Sequence, residues 1–497
     1  MRSSINKKNM LPIIVWIAIS ITSCKKLVEV VPPITSASSA IAYNTDASAI
    51  SAVTGLYTNL STGVVTGNRG ISFLCGLSAD EFTQYSGVAS STATTYYYLN
   101  QLVASPSTIG ADFWGIYQYI YVCNSAIEGL TAATSLTPAI KQQLLGETRF
   151  MRGFYYFYLV NFFGDVPLIT SSDYRINVGI ARTPKAQVWD QIISDLQAAR
   201  DLLSINYLDG TLVKTTTERV RPTQGAASAL LSRVYLYTGV YAKAEEQASA
   251  VINNSSLYGL VPFINTSTTP ATQNDVFLKN SSEAIWQIQT TIAGHNTEEA
   301  NMYLLPTTGP NSNPNTVYLS PQLLASFEAG DQRRFGRNWI DSIKIGSITY
   351  FFPCKYRANN YQAVNGVFAT PTEYLTALRL GEQYLIRAEA RAQQGNISGA
   401  QADLNIIRTR AGLPNTTAAS QSALLTTVLH ERQVELFTEW GHRWLDLKRT
   451  GQVDAVMGGP SGACAVKGGT WSSYQQLYPI PAQDISYAPN LTQNLGY

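Results

Sequence analysis

Few residues in this 497-residue chain have the types and spacing that chemistry needs. Its histidines are His295, His430 and His442. His430-Glu431 opens like the His-Glu-x-x-His helix of a zinc protease, but Val434 stands where the second imidazole is needed, so the metal reading fails. No Gly-x-x-x-x-Gly-Lys-Ser/Thr phosphate cradle and no Gly-x-Ser-x-Gly nucleophile turn occurs. A glycosidase needs only two carboxyl groups roughly 5 to 9 Å apart in a cleft, so that class stays open as a minor alternative. Neither a metal nor a cofactor is expected. The abundant functional side chain is tyrosine, 29 in all. A tyrosine ring lies against the C–H face of a neutral sugar while its hydroxyl stays wet, and sugar hydroxyls pair with Asn, Gln, Asp or Arg. Gly63–Ser107 and Ile292–Leu319 combine these types, and the candidates are Tyr85, Tyr96, Tyr97, Asn301, Tyr303 and Tyr318. For each the ordinary alternative is packing.

The elements that must position these residues read as helices. Ala49, Val53, Leu56 and Leu60 share one face of a helix from Thr45, and Val188, Ile192, Leu196 and Ala199 share another after Pro184. Asp112–Leu130, Ala139–Phe163 and Thr223–Thr238 are helical by the same spacing. The second of these ends so densely aromatic that it must be buried on most sides. Toward the C-terminus, Leu378, Gly381, Leu385, Ala388 and Ala392 mark a helix that Gly395 ends, and Asn396 caps a second carrying Ala400, Leu404, Ile407 and Ala411. A third helix is expected over Ser420–Arg449, with Glu431, Glu435 and Glu439 on one face and ion pairs Glu439–Arg443 and Asp446–Arg449. Gly239 precedes Ala244 as Gly395 precedes Ala400, which suggests degenerate helix-turn-helix units resembling tetratricopeptide repeats. The expected fold is mainly α: interrupted tetratricopeptide-like repeats, about 111–254 and 373–450, with an irregular, loop-rich lobe containing short β-strands. That lobe covers about 63–107 and 255–372, where prolines alternate with Asn and Thr and strands are expected at Ala284–Thr290 and Ser347–Phe352.

Charged residues make up only 14% of the chain, and no basic run lies outside the N-terminus, so nucleic acid is not an expected partner. Arg2, Lys7 and Lys8 precede an apolar run over Met10–Ile21, too short to span a bilayer, and Ile21-Thr22-Ser23-Cys24 looks like a bacterial lipobox. Residues 1–23 are therefore expected to be a lipoprotein signal peptide, with Cys24 lipidated and residues 24–44 a tether. Removing the three basic residues of that segment takes the formal charge from +2 to −1. Cys75, Cys123, Cys354 and Cys464 show no Cys-x-x-Cys spacing, and buried free thiols are expected over disulfides.

Several motifs carry a family resemblance. Arg149–Leu168, with its closing Gly164-Asp165-Val166-Pro167-Leu168, is one, and Ala388-Glu389-Ala390 and Asn405–Leu413 are others. So are His430-Glu431-Arg432, Glu435-Leu436, Glu439, Arg443-Trp444 and Asp446–Arg449, together with Leu477–Pro481 and Pro489–Tyr497 at the chain's end. Together they resemble the SusD/RagB family of outer-membrane nutrient-uptake lipoproteins. The resemblance implies a non-catalytic surface protein, lipid-anchored at the outer membrane, that captures a nutrient, most often an oligosaccharide. It also implies delivery to a SusC-like TonB-dependent β-barrel transporter. The competing class is a helical-repeat scaffold that assembles proteins and binds no small molecule.

Overall fold

Thr45 caps the first long helix, α1 (Asp46–Thr62), in a reciprocal capping box with Ser48. Its buried residues are Ala49, Val53, Leu56 and Leu60, the face set by the spacing. The computed structural model describes residues 42–67, 69–104, 112–263, 276–334, 338–358 and 370–497, so the expected signal peptide, Cys24 and nearly all of the tether lie outside them. After α1 come α2 (Ile71–Ser78), buried along its whole length, the short strand β1 (Phe82–Gln84) and α3 (Ala93–Tyr98).

A stack of helices follows: α4 (Ile116–Ala132), α5 (Pro138–Phe163), α6 (Lys185–Leu202), α7 (Gln224–Tyr237) and α8 (Tyr241–Ile252), each packed on the next. The aromatic end of α5 is core throughout, with Phe154, Tyr155, Phe157, Phe162 and Phe163 fully buried. Arg152 on the same helix is held by Asp195 of α6 at 2.7 and 2.8 Å, a bidentate pair that fixes the register of the two helices. The chain then leaves the stack for β2 (Ala284–Ile288), α9 (Glu298–Tyr303), β3 (Val317–Leu319), β4 (Ile340–Ile345), β5 (Ile348–Pro353) and β6 (Leu375–Arg379). These strands make antiparallel pairs β1–β3, β2–β6 and β4–β5. The stack resumes with α10 (Leu380–Gln393), which packs directly on α8, then α11 (Ile397–Arg410) and α12 (Gln421–Glu435). Gly239 and Gly395, at the turns of α7–α8 and α10–α11, both adopt positive φ, 75° and 78°, and the Asn396 side chain accepts from Gly399 N at 3.0 Å. The mainly helical, repeat-like architecture is as the spacing implies.

Two expectations need correcting. Leu378 belongs to β6 rather than to the following helix, because Leu375–Arg379 pairs with β2 nearly a hundred residues earlier. The single helix expected over Ser420–Arg449 is two, α12 and α13 (His442–Arg449), separated by a turn in which Thr438, Trp440 and Gly441 take positive φ. The amides released by the break are satisfied at a distance: Thr438 N donates to Glu81 at 2.8 Å and Trp440 N to Ser72 at 2.8 Å. A Cβ at Gly441 would lie 2.8 Å from Cys75, so the turn needs glycine for space as well as for φ. Arg443 consequently pairs with Asp80 at 2.7 Å instead of Glu439, whereas the Asp446–Arg449 pair forms as expected at 2.7 Å.

Glu439 joins a buried ion network that fastens the inserted lobe to the repeats. Arg379 contacts Glu283, Glu435 and Glu439 at 3.0, 2.7 and 2.7 Å, and Arg333 contacts Asp331, Glu431 and Glu435 at 2.7, 2.6 and 3.0 Å. Arg410 bridges Glu283 and Glu435, and Lys355 reaches Glu439. The four cysteines named above are buried, each a thiol rather than half of a disulfide. Among the described residues no helix is long and apolar enough to cross a membrane.

Candidate ligand-binding site

In an antiparallel pair, residues opposite one another project to the same face, and Thr83 of β1 stands opposite Tyr318 of β3. Tyr85 continues this register, its amide donating to Thr316 O at 2.8 Å, so Thr83, Tyr85 and Tyr318 share one face. The Tyr318 ring meets Tyr350 of β5 edge-on at 5.0 Å. From the C-terminal end of α3 comes Tyr98, whose phenol is raised by burial, with a further contribution from the neighbouring Tyr318 hydroxyl. The ammonium of Lys467 sits 5.4 Å from the centre of the Tyr98 ring and ties the ring to the end of α2 by donating to Leu77 O at 2.7 Å. Tyr85, Tyr98, Tyr318 and Tyr350 are all half-buried. Tyr96, also half-buried, is on the same short helix as Tyr98.

Tyr97 and Tyr303 are corrections. Tyr97 is wholly buried, its ring 5.3 Å from Tyr478 and 6.3 Å from Phe113, and Tyr303 packs on Phe82 at 5.3 Å. Neither ring offers a face to a ligand. Asn301 lies apart from the tyrosines. Its carbonyl accepts from Asn315 at 3.0 Å, and its side chain turns toward Glu298, which pairs with His295 at 2.9 Å.

Beneath the patch lie acids with altered proton affinity. Burial raises Glu81 to about 7 and Glu299 to about 8, while Arg443 beside Asp80 holds that carboxyl below its usual range against the opposing cost of burial. Carboxyls held uncharged are what acid–base catalysis on a glycoside requires. These two are 1% and 7% exposed, and the cavity against Glu299 measures about 10 Å³, room for no more than a water. Their protonation has a measurable consequence. The folded carboxyl of Glu299 keeps a proton that an unfolded glutamate releases near pH 4.3, so its contribution to stability is present at low pH and lost as pH rises toward 8. The Glu299→Gln variant is expected to lose less stability than the parent between pH 6 and 9 in urea titrations; equal slopes would mean that Glu299 is ionised in the fold.

Two family models match the chain, one described as the SusD family over residues 336–497 and one as "Starch-binding associating with outer membrane" over residues 38–236. The chain belongs to the SusD/RagB family. Among its relatives is the SusD-like protein P2 of Formosa agariphila, 27% identical over 387 residues, a stretch covering 69% of this chain and 72% of that one. Among solved structures, a SusD superfamily protein from Bacteroides vulgatus superposes with a TM-score of 0.73 at 20% identity, covering 91% of this chain and 99% of that one. A laminarin-binding SusD-like protein superposes with a TM-score of 0.71 at 25% identity, covering 92% and 100%.

Within this SusD/RagB chain, reading the sequence alone passed over Tyr98, Tyr350 and Lys467. Tyr98 had a usable signal: successive helical residues turn by about 100°, so if Tyr97 is core its neighbours flank it at the surface. Tyr350 could have been found from the β4–β5 hairpin, had Gly346 been taken as its turn. Nothing local marks Lys467, whose partners lie almost four hundred residues away.

Proposed function

We propose that this SusD/RagB protein is a non-catalytic carbohydrate-capture protein whose neutral-sugar contacts are centred on Tyr85, Tyr98, Tyr318 and Tyr350. The observation that carries the reading is this patch: the half-buried rings of Tyr318 and Tyr350 meet edge-on, Tyr98 neighbours Tyr318, and Tyr85 shares the strand face of Tyr318, a group of partly open rings of the kind a sugar's C–H face takes. The laminarin binding of one structural neighbour and the starch-binding description of the N-terminal family model point to glycans. That model's description also places such proteins at the outer membrane. The lipobox ending at Cys24 supplies the means of attachment, and the family resemblance implies hand-over to a SusC-like TonB-dependent barrel. Hand-over needs no bond-making, only a difference in affinity between the free and barrel-docked states.

Calorimetric titration of the lipid-free protein with β-glucan and α-glucan oligosaccharides tests the reading. Binding with intact ligand is expected, and shortened products would overturn the non-catalytic assignment. Tyr318→Ala and Tyr350→Ala should each weaken binding about tenfold, through loss of roughly 1–1.5 kcal/mol of ring contact. Affinities unchanged in both variants would remove the patch from consideration.

A further inference from the structure

A second cleft, of about 790 Å³, sharing no residue with the tyrosine patch, opens where the ends of α5, α7 and α13 meet the start of α6 and the C-terminal segment. Its walls are aromatic. Trp189 and Tyr237 both pack against the buried ring of Phe157, at 5.8 and 5.1 Å, which fixes their orientation, and Tyr474 stands on the opposite rim. The Tyr237 hydroxyl is buried behind this wall and the Arg449 guanidinium lies 5.2 Å from the centre of its ring, so Tyr237 backs the cleft while Trp189 faces it.

The charge of the cleft is one-sided. Arg182, Lys185, Lys448 and Arg449 line it against Asp165 alone. Arg449 is neutralised by Glu389 and Asp446 at 2.5 and 2.7 Å. Arg182, Lys185 and Lys448 have no carboxylate within 4 Å among the described residues. Arg182 spends its donors on carbonyls and the Asn494 amide oxygen, so it contributes field rather than contacts. Lys448 donates to Asn161 O and Gln476 O, with its Nζ 5.6 Å from the centre of the Trp444 ring; burial lowers its ammonium to about 7, and a neighbouring anion would favour the charged form. Lys185 is exposed, and its side chain makes no hydrogen bond or ion pair among the described residues. It is also the first residue of α6, whose N-terminus is already met by a carboxylate: Lys185 N donates to Asp165 Oδ1 at 2.8 Å, so the ammonium and not the helix end is what a ligand would find.

We propose that this cleft is a second binding site, for a carboxylated sugar: an acidic oligosaccharide with a pyranose face on Trp189 and a uronate carboxylate that meets Lys185 and Lys448. The inference goes beyond the neutral-glycan reading and is independent of it, since the two sites share no side chain. The volume suits two or three sugar rings, and aromatic walls with unpaired ammonium groups match an acidic sugar better than a bare phosphate, which has no face to stack.

The full-length protein, freed of lipid, is titrated with trigalacturonate, with the neutral trisaccharide of the same linkage and with a triglutamate peptide. The expected result is binding of the uronate at least tenfold tighter than either competitor, weakening about tenfold between 50 and 500 mM salt. Lys185→Glu is the decisive variant. It replaces an exposed side chain that makes no hydrogen bond or ion pair among the described residues and sets a negative charge against the ligand, so uronate affinity should fall tenfold or more with thermal stability nearly unchanged. Trp189→Ala should weaken uronate binding without changing its salt dependence. Tyr318→Ala should leave it unaltered, which separates this site from the tyrosine patch. Equal affinity for neutral and acidic trisaccharides, equal affinity for the peptide, or loss of uronate binding in Tyr318→Ala would each overturn the assignment.

Discussion

Replacing Glu435 by alanine is expected to cost about 3–5 kcal/mol of folding free energy, the cost of breaking a buried ion pair. Its carboxylate is fully buried and accepts from three guanidinium groups: Arg379 at 2.7 Å, Arg333 at 3.0 Å, and Arg410. With Glu435 gone, the three buried guanidinium groups lose the one carboxylate that all of them share, and the donors aimed at it are left without that acceptor. Glu435→Gln keeps the shape and should lose nearly as much, because the charge is what the three arginines require. A partly exposed pair provides the contrast. Glu245→Ala, which removes one of the two carboxylates that Arg391 meets at 2.8 Å and leaves Asp403, should cost under about 1 kcal/mol. Acid sensitivity follows with a defined sign. The three arginines hold the Glu435 carboxyl far below the usual range despite the cost of burial. Its stabilisation is therefore complete above about pH 5 and is lost as pH falls through and below the range where an unfolded glutamate takes up its proton, about 4.3. Urea midpoints measured from pH 3 to 7 check both points. A Glu435→Gln variant that retains the parent's steep loss of stability toward pH 3 would show that other carboxylates carry the acid response.

The helices that pack on one side were legible because their periodicity is local. The faces of α1 and α6 are buried residue for residue as the spacing implies, and the matched glycines at 239 and 395 are the turns of two repeat units. What was not legible depends on partners distant in sequence. Leu375–Arg379 carries an apolar pattern compatible with strand or helix, and β2 decides it. The break after Glu435 was marked by Gly441, but the groups that make the break affordable, Glu81 and Ser72, lie some 360 residues away.

Composition located the tyrosine-rich stretches but could not separate rings that pack from rings that bind. Tyr97 and Tyr98 are adjacent and of one type, yet one faces Tyr478 in the interior and the other faces Lys467 at the surface. Their difference lies in the direction of α3, and that direction is set by elements the local sequence does not contain. The basic cleft was invisible for the same reason. Lys185, Trp189, Tyr237 and Lys448 come from three helices that meet only after the stack has closed.

Phe154→Ala carries the other large expected effect, a loss of about 3–5 kcal/mol for truncating a buried aromatic side chain. The ring is fully buried and touches Trp286 of β2 at 5.3 Å, Trp440 of the α12–α13 turn at 5.6 Å and Tyr158 of its own helix at 5.1 Å. It therefore joins the repeat stack to the inserted lobe and to the turn that breaks the C-terminal helix. These neighbours are large, edge-packed rings held by hydrogen bonds of their own, Trp286 to Val220 O and Trp440 to Thr376 O, so they cannot easily collapse into the space left behind. Phe154→Leu, which leaves a smaller void, should cost less than half as much. Because none of the ring contacts of Phe154 among the described residues is with Tyr85, Tyr98, Tyr318 or Tyr350, oligosaccharide affinity measured well below the transition should match the parent. Stability is read from urea denaturation and affinity from calorimetry on the same sample. A loss under 1 kcal/mol would mean that the three elements are held by the ion network around Glu435 rather than by this seam, and combining Phe154→Ala with Glu435→Ala would then show no more than the cost of the second substitution.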